Sequence, residues 1–115
     1  MQKCLPCLRH LETLSREIDA LGSDIYYHKA DSARERTTKI AKLLDEMVKG
    51  GCISAGAYGS AKRHAEGIIR AVGEGKWADA WLKKEWLNYH ESDAIEETRK
   101  LCEEEWKKWA RSSSA

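Results

Sequence analysis

The sequence predicts an all-α fold: a compact antiparallel bundle of about five helices with no β-sheet. Three observations lead to it. Apolar residues recur at intervals of three and four along most of the chain, which is the period of a helix face. A single proline, Pro6, leaves the remaining residues free of the strongest helix breaker. No stretch of four to eight residues alternates apolar and polar side chains as a half-buried strand would.

The first helix is expected over roughly 7–21. Its stripe is Leu8, Leu11, Leu14, Ile18, Leu21 and Ile25, and Pro6 suits a first turn, where the missing N–H costs nothing. Gly22-Ser23-Asp24 is expected to end this helix and cap the next. The second, over 25–49, carries Tyr26, Ala30, Ala33, Thr37, Ile40, Leu44 and Met47 and stops at Gly50-Gly51. Ser54 is placed to cap a third helix over 55–73, with Tyr58, Ala61, Ala65, Ile68 and Val72 as its stripe and Gly73-Glu74-Gly75 as its stop. A fourth, over 76–90, holds Ala78, Trp81, Leu82, Glu85, Trp86 and Tyr89. Asp93 with Glu96 reads as a capping box that opens a fifth over 94–111, whose stripe is Ala94, Thr98, Leu101, Cys102, Trp106 and Trp109. Residues 1–111 form one domain, and 112–115 read as a disordered tail. Short connections favour antiparallel neighbours, so the chain is expected to run up and down.

Composition narrows the class. The chain has 115 residues, 42% hydrophobic and 34% charged, which suits one globular domain with a real core rather than a disordered tail. No apolar run approaches the ~18 residues that a spanning helix needs, so no membrane partner is expected. The first residues lack the apolar core of a secretory signal, and a cytoplasmic setting is the expectation. In a reducing cytoplasm, four cysteines read as free thiols or metal ligands rather than disulfides. The net charge of +1 gives no general attraction to nucleic acid.

Cys4-Leu5-Pro6-Cys7 is a C-x-x-C, and it has two chemical meanings. As a dithiol it matches a redox motif, but the strand that precedes such a pair in thioredoxin-like folds has no room before Cys4. As a metal half-site it supplies two of the four thiolate or imidazole ligands that zinc takes in a closed structural site. The up-and-down order brings Cys52, after Gly50-Gly51, and His90, at the end of the fourth helix, to the same end of the bundle. Cys4, Cys7, Cys52 and His90 are therefore the expected structural zinc ligands, with His10 as the alternative fourth. Cys102 sits on an apolar stripe and reads as a buried inert thiol.

Tyr27-His28-Lys29-Ala30-Asp31 and Tyr89-His90-Glu91-Ser92-Asp93 share Tyr-His-x-x-Asp, which puts an Asp on the same helix face as each His. The assumed topology sends the two histidines to opposite ends, so the echo builds no joint site. No Glu-x-x-His, phosphate-binding loop, nucleophile elbow or His-Glu-x-x-His is present, and the glutamates near the end of the chain interleave with lysine and arginine as a solvated face does. The expectation is a protein that is not an enzyme.

Five tryptophans and no phenylalanine is an unusual aromatic inventory, and Trp77, Trp81, Trp86, Trp106 and Trp109 all fall late in the chain. Indoles are bulky for a small core and are enriched at interface hot spots. The leading expectation is thus a binding or regulatory module, of accessory or inhibitor type, that engages a protein partner or a second copy through a Trp-rich surface of helices four and five. The alternative is a nucleic-acid-binding regulator using Arg34, Arg36, Lys39 and Lys42 of helix two with Lys62, Arg63 and Arg70 of helix three. A second alternative is a thiol redox protein using Cys4 and Cys7.

Overall fold

Four helices, not five, carry the described part of the chain. The computed structural model describes residues 4–103 and Lys107. The helices are α1 (Cys4–Tyr26), α2 (Ala30–Lys49), α3 (Ala55–Gly73) and α4 (Trp77–Leu101). No strand occurs among the described residues. Trp106, Trp109, the far end of the expected fifth helix and the tail 112–115 lie outside them.

Two expected breaks do not occur. Gly22-Ser23-Asp24 stays helical, and α1 runs on to Tyr26. Gly22 is the contact point for the aliphatic stem of Lys84, since a Cβ there would lie 3.6 Å from Lys84 Cε. Asp24 caps nothing; its Oδ2 instead accepts a hydrogen bond of 2.8 Å from Arg36 Nε. The turn comes later, at His28, which takes the left-handed φ of 55°. The second missing break is at 90–93. Glu91, Ser92 and Asp93 contain no helix breaker, and α4 passes through them with no capping box at Asp93.

The other boundaries follow the chemistry read from the sequence. Ser54 caps α3, its Oγ accepting from Ala57 N at 3.2 Å. The chain reverses after α2 and α3 at Gly51 and Gly75, with φ of 75° and 72°, a region that suits glycine.

The helices form a ring in which α1 packs on α2, α2 on α3, α3 on α4, and α4 closes back onto α1. The start of α1, the end of α2 and the end of α4 meet at one end, where Cys7 joins Cys52 and Cys4 joins Cys102. At the opposite end, His28 after α1 stacks on Trp77 at the start of α4, with ring centroids 4.6 Å apart. This is the antiparallel up-and-down arrangement that the short connections predicted.

Leu8, Leu11, Leu14, Ile18, Leu21 and Ile25 are all buried, as are Ala33, Thr37, Ile40, Leu44 and Met47 of α2 and Ala61, Ala65, Ile68 and Val72 of α3. α4 is different. Its inward face is Ala80, Lys84, Leu87, the partly buried Glu91, Ala94 and Thr98, at the spacing of a single helix stripe. Buried polar side chains are satisfied: Thr37 Oγ1 donates to Ala33 O at 2.6 Å, and no buried side-chain N or O among the described residues lacks a partner.

Candidate functional site

The cysteine end departs from the expected zinc site. Cys7 is bonded to Cys52 and Cys4 to Cys102, so all four sulfurs are paired and none is a thiolate able to ligate metal. Cys102, expected to be an inert thiol, is the partner of Cys4. The physical reason lies in α4. Because the helix does not break at 90–93, its end is carried on to Cys102, while His90 stays roughly 18 Å back along the axis. His90 therefore does not join Cys4, Cys7 and Cys52. His10 faces Glu46, with Nδ1 to Oε2 at 3.9 Å. With the sulfurs paired, no group of three or more His, Cys, Asp or Glu side chains among the described residues is arranged to hold a metal. The pairing also answers the redox expectation: Cys4 and Cys7 bond outward to other elements, not to each other. Lasting disulfides belong to oxidising compartments, which counts against the reducing cytoplasm assumed from the first residues.

The aromatic residues of α4 face the other way. Trp81, Leu82, Trp86 and Tyr89 are 40%, 57%, 49% and 62% exposed, although they include two of the three tryptophans of that helix. Leu82, Trp86 and Tyr89 stand at i, i+4 and i+7, one continuous outer stripe. Trp86 and Tyr89 meet edge to face at 6.1 Å between centroids. Behind Trp86 a stack continues through His64 of α3, at 6.1 Å, to His90, at 5.1 Å. Burial holds the His64 imidazole below the ordinary histidine range, with the charges of His90, Arg63 and Lys83 acting in the same direction. His90 Nδ1 lies 4.0 Å from Asp93 Oδ2, so the Tyr-His-x-x-Asp echo produces a loose contact in this copy only; His28 is in a turn against Trp77.

Trp77 is partly buried and serves the far end of the bundle rather than the outer stripe. Trp81 lies on the α1 side of the stripe, with the ammonium of Lys84 3.8 Å from its ring centroid. That ammonium also bonds the Glu85 carboxylate, so the buried lysine keeps its charge partnered at the surface. Of the five tryptophans, the described residues thus include two in an exposed patch and one in packing.

No known protein family, curated protein or solved structure matches the chain. The reading of function therefore rests on the molecule itself.

The seven basic residues of the nucleic-acid alternative do not form a free set. Arg34 pairs with Asp31 at 2.7 Å, and Arg36 bridges Asp24 and Glu17 at 2.8 and 3.0 Å. Lys62 donates to Tyr58 Oη at 2.8 Å and to Asp45 Oδ1 at 3.0 Å. The Tyr58 hydroxyl bonds Asp45 as well, and this bond, followed by that from Lys62, holds the Asp45 carboxyl below the usual carboxylate range. Lys39, Lys42, Arg63 and Arg70 remain exposed on α2 and α3. Three of the seven cations are thus already paired, and two of them, Arg36 and Lys62, tie α2 to α1 and to α3.

Two hollows occur among the described residues, and neither is an enclosed chamber for a small molecule. A void of about 10 Å³ between Leu14, Ile18, Leu44 and Leu87 has no more room than a single water molecule needs. A wider hollow of about 380 Å³ opens beside the start of α3, between Ser54, Ser60, His90, Asp93 and Glu96. There Glu97 already accepts hydrogen bonds from Ser54 N at 2.9 Å and Ser54 Oγ at 3.2 Å, occupying the position an anion would take.

Proposed function

We propose that this chain is a non-enzymatic binding module that engages a protein partner through the outer face of α4. The observation that carries the reading is the inversion of that helix: it packs Ala80, Lys84, Leu87, Ala94 and Thr98 inward and leaves Trp81, Leu82, Trp86 and Tyr89 in solvent. A helix under selection for stability alone would bury its indoles, since a fully buried large apolar side chain contributes about 1.5–3 kcal/mol. A contiguous exposed apolar and aromatic stripe marks an interaction surface, and tryptophan and tyrosine are the side chains most enriched at interface hot spots. The rest of the molecule suits such a role. Two disulfides and the Arg36 network fix the scaffold, so a presented helix loses little conformational entropy on docking.

The test is a double variant, Trp86→Ala with Tyr89→Ala, in the full chain. A photo-reactive side chain at position 82 records which protein, or which second copy, contacts the stripe. The expected result is unchanged helicity and loss of the cross-linked species. Retention of that species by a folded double variant would move the interface off α4.

A further inference from the structure

The two disulfides are neighbours, and together they gather four cysteines from three parts of the chain. Cys4 and Cys7 stand one turn apart on α1, with Cβ atoms at helical i,i+3 neighbours about 5–6 Å apart. Each has its partner across a Cα–Cα distance of 5.5 Å, Cys102 from the end of α4 and Cys52 from the α2–α3 connection. Those partners are also adjacent: Thr98, one turn before Cys102, donates to the carbonyl of Cys52 at 3.4 Å. All four side chains are at most 5% exposed.

We propose that this cluster is a redox-governed zinc site, with Cys4, Cys7, Cys52 and Cys102 as a tetrathiolate that holds one Zn²⁺ when the disulfides are reduced. Zn–S bonds of about 2.3 Å place tetrahedral sulfurs a little under 4 Å apart. Within each pair, Cα atoms 5.5 Å apart with rotatable Cβ–Sγ arms reach that spacing, and Cys4 and Cys7, one helical turn apart, bring the two pairs side by side.

The chemistry balances. Each disulfide takes two electrons and two protons from a dithiol reductant, which leaves as its own disulfide. The four thiols then release four protons as Zn²⁺ binds. Oxidation by a disulfide or peroxide oxidant reverses the sequence, re-forming the two S–S bonds and expelling the ion. The same four residues thereby tie α1, α2 and α4 together in either state.

The experiment uses the full chain, reduced with a phosphine under anaerobic, metal-free conditions and titrated with Co²⁺. The expected result is the visible absorption of tetrahedral cobalt thiolate, saturating at one ion per chain, lost on adding Zn²⁺ and absent from the oxidised protein. His90→Ala and His10→Ala should keep that spectrum, whereas Cys102→Ser should weaken metal binding at least 100-fold. Zinc should also protect all four wild-type cysteines from alkylation, which reads the site even where the serine variant does not fold. No saturating cobalt spectrum, or protection of only three cysteines together with sensitivity to His90→Ala, would overturn the proposal.

Discussion

Asp24, in the last turn of α1, and Arg36, two turns into α2, are joined by a hydrogen bond of 2.8 Å that spans the turn between the two helices. Arg36 reaches Glu17 with a second nitrogen at 3.0 Å, so one guanidinium clamps two carboxylates of α1. The Asp24 side chain is only 9% exposed, and Arg36 is its one ion-pair partner among the described residues. Arg36→Ala should therefore destabilise the fold by about 2 kcal/mol, most of it the cost of a carboxylate left buried and unpaired. Arg36→Lys should recover part of this, because an ammonium cannot reproduce the two-pronged contact. Urea denaturation of the three proteins measures the difference.

Peptide mapping without reductant should recover Cys4 linked to Cys102 and Cys7 linked to Cys52. Four cysteines allow three connectivities, and either of the others would contradict the pairing seen in the structure. Opening the Cys7–Cys52 bridge, which closes a separation of 45 residues, should cost about 4 kcal/mol by chain entropy; Cys4–Cys102, with a separation of 98, should cost about 5. Thermal melts of the serine variants with chelator present test both.

Stability should fall as the solution is acidified through the histidine range, and His64 is the group responsible. Its folded affinity for a proton is lowered by burial, so the unfolded chain protonates first, starting near 6.5. The loss begins as pH drops through that value and is complete once pH is below the depressed folded value. His64→Phe should flatten this slope while keeping the ring stacked against Trp86. A denaturation series between pH 5 and 8 reads it (a window set by histidine chemistry).

Glu91 acts with the opposite sign. Burial against α1 raises its carboxyl above the usual range, Asp19 adds to the rise, and a Ser15 hydrogen bond opposes it. The folded state takes up a proton before the unfolded state does, so this site adds stability as pH falls from neutral towards the unfolded value of 4.5. Glu91→Gln should stabilise the protein at pH 7, by less than about 1 kcal/mol after solvent screening. Its advantage should vanish towards pH 4.5.

Trp86→Ala and Tyr89→Ala should each shift the unfolding midpoint by little, within about 0.5 kcal/mol, as substitutions at exposed positions do. Leu87→Ala, the next residue but inward, should cost about 2–4 kcal/mol. A large loss for Trp86→Ala would show that the outer stripe serves the fold rather than a partner.

The first three helices were legible because their inward stripes are leucine, isoleucine and alanine at helical spacing, and because Ser54, Gly51 and Gly75 have one obvious use each. α4 was misread for a physical reason. Its inward stripe contains Lys84, Glu91 and Thr98, side chains that a pattern search assigns to solvent, while Trp81, Leu82, Trp86 and Tyr89 are outside. Lys84 is tolerated inside because Gly22 leaves room for its stem and Glu85 and Trp81 receive its charged end. The aromatic surface was thus visible as composition, but its separation from the core was not. The cysteines were gathered correctly at one end except for the fourth: carrying α4 unbroken past Asp93 exchanged His90 for Cys102. The false stop at Gly22-Ser23-Asp24 arose because an aspartate after a glycine reads as a cap, and only the distant Arg36 reveals its actual partner.

The bond between Cys4 and Cys102 makes the chain between them a covalent loop. A protease that cuts any one peptide link inside that loop leaves a single molecule, with both fragments still tethered at their helix ends. Tension applied from outside the two cysteines passes through one sulfur bridge and leaves all four helices unloaded. The aromatic stripe of α4 would thus keep its shape on a nicked or stretched molecule, until a reductant opens the loop.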